Sequence, residues 1–182
     1  ARLRFRGRLL VFGLVVGVMA IPDIVMAIPR FLIMKQLGIL TSYIGLIVPL
    51  IFDAFSIFMM KQFFEQLPRE IEEAAAIDGA STFKTWRFVM LPLAAPALIA
   101  LTILATQGSW NEFLHPLIAA PSDPDLRTLP VGLALMRGGF GDAQPWNALL
   151  GASMITILPI AVIFFTFQRY FVQGVASSGT KG

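Results

Sequence analysis

The sequence predicts an all-α integral membrane protein, because it is poor in charge and contains several apolar segments of membrane-spanning length. Of its 182 residues, 57% are hydrophobic and only 14% are charged, whereas about a quarter of an average soluble domain is charged. A helix that crosses ~30 Å of hydrocarbon needs ~20 mostly apolar residues. Four segments meet this requirement, so we expect about four transmembrane helices embedded in membrane lipid, at residues 9–28, 43–63, 93–117 and 146–167.

The first segment follows a basic stretch, as the apolar core of a signal peptide does. It is too long for that role and lacks an Ala-x-Ala cleavage site, so a transmembrane helix is the better interpretation. Gly13 and Gly17 have the small-xxx-small spacing that favours close helix packing, with a partner interface as the alternative. The chain begins at Ala1 without an initiator Met, and we expect it to be a fragment. The basic stretch consists of Arg2, Arg4, Arg6 and Arg8.

The third segment is predicted to be bent or broken, since Pro96, Gly108 and Pro116 interrupt it together with the polar pair Asn111 and Glu112. The other segments each contain one proline, and these are Pro22, Pro49 and Pro159.

Two acidic residues, Asp23 and Asp53, fall inside predicted spans, where an ionisable side chain is costly enough to suggest a function. A proton relay is one interpretation. A structural role near a span end, or a hydrogen bond to another helix, is the interpretation that we favour.

The basic residues predict the topology. Ten of the 14 lie in the amino-terminal stretch, in the segment 61–87 and in the tail, and the two alternate loops hold only Arg30, Lys35, Arg127 and Arg137. Because cytoplasmic loops are enriched in Lys and Arg, both ends and the middle loop are expected to be cytoplasmic. The net charge of +3 is spread between apolar segments rather than gathered on one face, so no nucleic acid partner is expected.

The middle loop, residues 64–91, is predicted to form a helix, a turn and a second helix. Pro68 and the acidic residues after it suit a first helical turn, Gly79 permits a sharp turn, and Ser81 can cap the second helix. The segment 121–145 contains four prolines and several Gly and Asp, and it is predicted to be irregular. We expect one domain, residues 1–182, with the loop 64–91 inside it and a cytoplasmic tail at 168–182.

A motif in the middle loop resembles the EAA loop of ABC importer permeases. The family pattern is Glu-Ala-Ala, three residues, Gly, nine residues, Ile, one residue, Leu-Pro, and this chain departs from it only in having Val for Ile. The matching residues are Glu73, Ala74, Ala75, Gly79, Leu91 and Pro92, and Val89 is the departure.

Further stretches are similar to the maltose-type carbohydrate permeases of that family, namely residues 77–80, 108–114 and 168–182. The resemblance covers nearly the whole chain and implies a type I ABC importer transmembrane domain. Members usually have six spans, and this sequence starts as they do before the third, so the first two spans are expected to be missing.

The resemblance implies that the EAA loop is a coupling element that docks on a separate ATPase. The implied coupling residues are Glu73, Ala74, Ala75, Asp78, Gly79, Leu91 and Pro92. It also implies the partners: a cytoplasmic ABC ATPase dimer, a second permease subunit and an extracytoplasmic solute-binding protein, in a bacterial or archaeal plasma (inner) membrane. An amphipathic helix lying on the membrane surface is the alternative interpretation of the loop.

Trp110, Asn111 and Glu112 form the candidate substrate pathway. An aromatic ring can stack on the apolar face of a sugar, the neighbouring amide can donate and accept hydrogen bonds, and transporter sites lie where helices are broken at membrane depth. The alternative is that Trp110 packs and that Asn111 bonds another helix.

No catalytic site, metal site or cofactor is predicted. The tail contains Gly174, four residues, Gly179, Thr180 and Lys181, in which the last two residues are in the wrong order for a phosphate-binding loop. His115 is the only histidine and the chain has no cysteine, so neither a metal cluster nor a nucleophilic triad is indicated. ATP hydrolysis is therefore expected in a partner subunit.

The predicted function is ATP-driven import of a sugar or oligosaccharide. A glycerol phosphate or another polar solute is the first alternative, although no Arg or Lys lies deep in the four spans to bind a phosphate. A membrane scaffold or passive channel is the second, and the EAA loop argues against it. The particular solute, the pathway-lining residues and the identity of the second permease stay open.

Overall fold

The computed structural model describes residues 1–3, 5–121, 123–138 and 146–179, and in these residues it contains helices and no β-strand. The helices in chain order are α1 (Arg8–Met19), α2 (Asp23–Gln36), α3 (Tyr43–Ile47), α4 (Ala54–Gln66), α5 (Glu70–Ile77), α6 (Thr82–Thr85), α7 (Leu91–Leu93), α8 (Ala95–Asn111), α9 (Leu114–Ala119), α10 (Leu129–Gly138) and α11 (Trp146–Gly179). The expected all-α architecture is confirmed.

The helices belong to two compact units that share the chain. The first contains Ala1–Met19, Ala54–Leu104 and Phe167–Gly182, and the second contains Ala20–Asp53 and Ala105–Thr166. The middle loop therefore belongs to the first unit, and the Trp110 region to the second.

Four apolar stretches of the described residues could cross a membrane. Tyr43–Gln66 and Trp146–Phe167 are long and apolar enough on their own, and two bent helix pairs qualify if each pair counts as one span. The bent pairs are Arg8–Met19 with Asp23–Gln36, and Thr82–Leu93 with Ala95–Asn111. This agrees in number with the four spans expected from hydropathy.

The first span differs from the prediction, which was one helix over residues 9–28. Helix α1 ends at Met19, and α2 starts after Pro22, whose backbone is extended (φ −59°, ψ 133°). Proline removes an amide donor and disfavours helix in the residue before it, so the helix breaks there. Helix α2 then continues to Gln36, and it therefore contains Arg30 and Lys35, which we had assigned to a loop.

The third segment is broken, as expected. Helix α8 ends at Asn111, and the short helix α9 follows from Leu114. At its other end, α8 meets the preceding helical stretch Thr82–Leu93 at an angle of 68°. Ala94 lies at this bend and is fully buried.

One expectation about the carboxyl-terminal half was wrong. The segment 121–145 is not irregular throughout, because Leu129–Gly138 is helical, while residues 122 and 139–145 lie outside the described part. Helix α11 has 34 residues, so it is about 50 Å long at ~1.5 Å per residue. It extends past Phe167 through most of the expected tail, and residues 180–182 are again outside the described part.

Helices α1 and α4 pack through an aromatic pair beside a lysine. The rings of Phe12 and Phe58 are stacked with their centroids 6.0 Å apart, and the Lys61 ammonium lies 3.8 Å from the centroid of the Phe12 ring. A Cβ built on Gly13 or Gly17 meets nothing within 4 Å. The close packing that we expected at these glycines is therefore absent from the described part of the chain.

Candidate functional site

The middle loop begins with helix α5, whose first turn is acidic. Glu70, Glu72 and Glu73 lie in that turn, and the backbone amides of Glu72 and Glu73 donate to the carbonyl of Arg69 at 2.9 and 3.1 Å. Carboxylates near a helix amino terminus are favoured by the positive end of the helix dipole. The glutamates therefore help α5 to begin directly after Arg69.

Gly79 ends helix α5 in a Schellman motif. Its φ is +78°, its amide donates to Ala76 at 3.0 Å, and the amide of Ala80 donates to Ala75 at 2.9 Å. These two bonds satisfy carbonyls that have no partner inside the helix, and they require a left-handed residue just past the helix end. The spacing between the Glu-Ala-Ala residues and the glycine thus places the motif on the last two turns of one closed helix.

Ser81 starts the second helix of the loop, as predicted. Its hydroxyl accepts from the Lys84 amide at 3.4 Å, and its carbonyl accepts from the Thr85 hydroxyl at 3.2 Å. Thr85 is buried, so the cap is attached to the interior of the loop. The helix-turn-helix form of residues 70–85 is therefore present in the structure.

The tip of the loop is exposed. Within the motif Ala75 is buried, whereas Glu73, Ala74, Asp78 and Gly79 are exposed. The side chain of Ile77 is 87% exposed. Helix α5 therefore exposes an acidic side chain in its first turn, and an acidic and a large apolar side chain at its end.

Aromatic residues extend this surface along the second helix. The rings of Phe83 and Trp86 lie 5.5 Å apart, and both side chains are exposed. Trp86–Met90 forms a single turn of π-helix, a form that often marks functional positions. Leu91 and Pro92, the end of the EAA pattern, form the start of α7 and lie away from the tip in sequence.

Trp110 and Asn111 line a cavity of about 380 Å³ in the second unit, a size in the range of ligand pockets, ~300–1,000 Å³. Most of its other lining residues are apolar, and these are Leu129, Pro130, Leu133, Ile157 and Ile160. The Trp110 indole N–H donates to the carbonyl of Thr156 at 3.0 Å. Its polar edge is therefore used within the chain, and only its ring face is available to a solute.

Glu112, the third residue of the candidate pathway, has a different role in the structure. One carboxylate oxygen accepts from the backbone amide of His115 at 2.9 Å, in the first turn of α9. It therefore stabilises the start of that helix, and it is not brought to the cavity wall with Trp110 and Asn111.

His115 is fully buried and joins α9 to α3. Its Nε2 lies 3.0 Å from the carbonyl oxygen of Gly45 and 3.2 Å from that of Leu46. Carbonyl oxygens only accept, so Nε2 carries the proton and donates to both. A Cβ on Gly45 would collide with the carbonyl of Ile39, and glycine is therefore required where these helices meet.

Asp23 has a structural partner. Its carboxylate accepts from the Arg30 guanidinium at 2.7 Å within α2, which supports a structural role rather than a proton relay. Asp53 lies in the non-helical residues before α4. Among the described residues no cluster of three potential metal ligands occurs.

The phosphate-loop-like sequence of the tail lies on a helix. Gly174 to Gly179 belong to α11, whereas a phosphate-binding loop is an irregular turn in front of a helix. Thr180 and Lys181 lie outside the described residues.

Sequence reasoning missed Arg2 and the structural importance of Gly45. The Arg2 side chain is only 17% exposed and pairs with Glu72 of the middle loop. The only available signal for Arg2 was its place in a basic stretch, which indicates topology and not contact.

Apolar helical stretches joined by an exposed helix-turn-helix define the class of this chain, a multi-span membrane domain. The chain matches the model of the family described as binding-protein-dependent transport system inner membrane component over residues 1–177. It belongs to that family, which makes it a permease domain of the ABC importer type.

Relatives and a solved structure agree with this assignment. The chain is 38% identical over 178 residues to the arabinooligosaccharides transport system permease protein AraQ of Halalkalibacterium halodurans, covering 98% of this chain and 63% of the relative. It is 36% identical over 184 residues to the trehalose/maltose transport system permease protein MalG of Thermococcus litoralis, covering 100% of this chain and 66% of the relative.

The fold is similar to that of a crystal structure of a bacterial ABC transporter involved in import of the acidic polysaccharide alginate. The TM-score is 0.76 at 27% identity, over 92% of this chain and 63% of the matched chain. This likeness confirms the type I importer fold. The chain spans less than two thirds of the length of each of these proteins.

Proposed function

We propose that the chain is a transmembrane permease subunit of an ATP-driven importer, and that its middle loop docks on a separate ATPase. The observation that carries this proposal is the exposed tip of the loop, where the uncovered Ile77 and Asp78 directly precede the Schellman turn at Gly79 and Glu73 is exposed on the same helix. A tip that is both rigid and uncovered suits a protein partner. The family assignment supports an ATPase as that partner.

The mechanism follows from the stiffness of the loop. Capped helices on both sides of Gly79 can transmit a displacement that a floppy loop would absorb. Closure of an ATPase dimer moves the tip, the tip moves the attached spans, and a central path changes from inward to outward access. ATP hydrolysis then resets the cycle. The chain itself binds no nucleotide in this scheme and is not an enzyme.

The partners of the proposed assembly are an ABC ATPase dimer, a second permease subunit and an external solute-binding protein. The site of action is the plasma (inner) membrane of a bacterium or archaeon. Both ends of the chain and the loop 64–91 face the cytoplasm, in accordance with the distribution of Lys and Arg.

A sugar or oligosaccharide is the proposed cargo. The names of the sugar-transporting relatives support it, as does the position of Trp110 beside Asn111 in the wall of the cavity. The alginate transporter has an acidic cargo, so an anionic solute such as glycerol phosphate is the second candidate. Trp110, Asn111 and Glu112 stay the proposed pathway residues, with Glu112 acting through the start of α9.

The test is uptake by cells that lack the gene encoding this chain. Labelled maltooligosaccharides, monosaccharides, glycerol phosphate and amino acids are supplied with and without ATP depletion, and uptake is compared with that of the complemented strain. We expect one ATP-dependent sugar uptake to be lost. Loss of only a non-sugar uptake refutes the cargo, and unchanged uptake of every solute in the panel argues for the scaffold or channel.

A second arm tests the loop. Glu73→Lys reverses a charge at the exposed tip without touching a buried group, and Gly79→Pro destroys the turn. We expect both variants to reach the membrane in normal amounts and to lose ATPase association together with uptake. Normal ATPase association with full uptake in both variants contradicts the docking role of the loop.

A further inference from the structure

Arg2 connects three elements of the first unit at the root of the middle loop. Its Nε donates to the carbonyl of Phe64 at 2.9 Å, and its Nη2 donates to the carbonyls of Phe64 and Leu67. The same Nε lies 3.1 Å from a carboxylate oxygen of Glu72. One side chain from the segment before α1 thus binds the end of α4 and the first turn of α5.

The electrostatics of these contacts are favourable at both ends. The carbonyls in the last turn of α4 lie at the negative end of the helix dipole, where a cation is stabilised, and among the described residues the Phe64 carbonyl otherwise accepts only from the Leu67 amide at 3.4 Å. Glu72 lies at the positive end of α5, where a carboxylate is favoured. The planar guanidinium fork lets Nε and Nη2 donate to the carbonyls together, while Glu72 is held by its opposite charge and not by a hydrogen bond.

A neighbouring set of charges links two of these regions, α1 and the end of α4. The Arg8 guanidinium, at the start of α1, lies 3.7 Å from the Glu65 carboxylate near the end of α4. Lys61 pairs with Glu65 at 2.6 Å and lies over the Phe12 ring of α1. Helices α1 and α4 are therefore tied together next to the point where Arg2 holds α5.

We propose that Arg2 is a positioning residue that locks the coupling helix α5 to the end of α4, so that a displacement of the loop moves α4 and α1 together. This inference rests on the proposed function of the loop. Arg2 does not belong to the exposed tip, and its loss leaves Glu73, Ile77 and Asp78 in place for a partner. The consequence of losing Arg2 is a transporter that binds its ATPase but transmits its movement poorly.

The experiment uses the assembled transporter in proteoliposomes and compares four variants. Arg2→Ala removes all the contacts, Arg2→Lys keeps a charge without the fork, and Glu72→Gln removes the carboxylate only. Arg6→Ala is the matched control, because Arg6 is an exposed arginine of the same segment and takes no part in the contacts described for Arg2. ATPase association, ATP hydrolysis and solute uptake are measured on each preparation.

We expect Arg2→Ala to lower the solute taken up per ATP hydrolysed by roughly tenfold, within the 5- to 150-fold typical of a coupling between two sites. Arg2→Lys and Glu72→Gln should give intermediate ratios, and Arg6→Ala the wild-type ratio. A merely structural role would lower the amount of assembled protein without changing this ratio. Graded recovery in Arg2→Lys therefore separates the two explanations.

An unchanged ratio in Arg2→Ala, with an active wild type, overturns the proposed positioning role and leaves the proposed function intact. If Arg2→Ala does not assemble, the solute taken up per ATP hydrolysed is compared in Arg2→Lys and Glu72→Gln. Wild-type ratios in both variants overturn the positioning role of Arg2. If the wild-type chain shows neither ATPase association nor ATP-dependent uptake, the proposed function itself fails and the role of Arg2 in coupling fails with it.

Discussion

Replacing Gly79 by alanine isolates the contribution of the left-handed turn to the middle loop. A Cβ at this position meets nothing within 4 Å, while the φ of +78° is one that L residues rarely adopt. Crowding therefore contributes nothing, and the backbone alone determines the cost. A left-handed conformation costs an L residue about 1–2 kcal/mol, so Gly79→Ala should lower the free energy of local opening by that amount.

Hydrogen exchange at the amides that close the turn measures this cost. Ala80 donates to Ala75 and residue 79 donates to Ala76, and a loss of 1–2 kcal/mol makes opening roughly 5- to 30-fold more frequent. Gly79→Asn should exchange more slowly than Gly79→Ala, because Asn tolerates the left-handed region. Gly79→Pro should be the most affected, since proline has no amide to donate and its φ is fixed near −65°.

Gly108→Ala is the control for this series. Its Cβ also enters open space, but Gly108 lies inside helix α8 and has no positive φ. It should leave exchange in the middle loop unchanged. The reasoning is refuted if Gly79→Ala and Gly79→Asn exchange at the wild-type rate, or if the Gly108 control accelerates exchange in the loop as much as Gly79→Ala does.

Further predictions concern the cap, the cavity and the buried histidine. Ser81→Ala removes the acceptor of the Lys84 amide and should destabilise the second loop helix by about 1 kcal/mol, read as faster exchange confined to residues 81–85. Trp110→Phe removes the N–H that donates to Thr156 and should lower the free energy of unfolding, measured by thermal denaturation, by about 1 kcal/mol. Trp110→Phe keeps an aromatic ring and should keep solute uptake. Trp110→Ala has no ring and should lose uptake if the ring stacks on the solute. His115→Phe keeps a planar ring but removes the donor to the Gly45 and Leu46 carbonyls, so it should lower the free energy of unfolding by about 1–3 kcal/mol. Phe113→Leu changes an exposed side chain and should leave the free energy of unfolding unchanged.

The form of the middle loop was predictable because its signals are local. An acidic first turn, a glycine just past the helix end and a serine before the next helix each act on the backbone within about four residues. The structure accordingly has the turn at Gly79 and the cap at Ser81 where the sequence indicated them. The break of the third segment was predictable for the same reason, since prolines and polar residues mark it.

The first span and helix α10 were not predicted correctly because hydropathy does not resolve backbone breaks. Pro22 was visible, but the apolar residues around it continue, so the segment was interpreted as one helix. In the segment 121–145 the Pro, Gly and Asp residues outweighed the apolar face of Leu129–Gly138. A proline at the second position of that helix is compatible with helix, because its amide needs no partner there.

The contacts made by Arg2 and His115 were beyond a reading of the sequence. Arg2 bonds a carbonyl 62 residues away, and His115 bonds one 70 residues away. Such pairings depend on how helices are placed in three dimensions, and residue type gives no hint of the partner. Composition indicated only that Arg2 was a topology signal and that His115 was not part of a metal site.

In the proposed coupling, the bend at Ala94 sets the direction in which the loop would move its span. Thr82–Leu93 and Ala95–Asn111 are bent by 68° relative to each other, which is closer to a right angle than to a straight line. In the proposed coupling, a displacement along the axis of Thr82–Leu93 would therefore move α8 mainly across its own axis. Ala94 at the bend is buried, and so are Ala97 and Ala100 in the first two turns of α8. A bulky side chain at Ala94 would change the angle between the two helical stretches, and with it the distance that the far end of α8 would move in the proposed coupling.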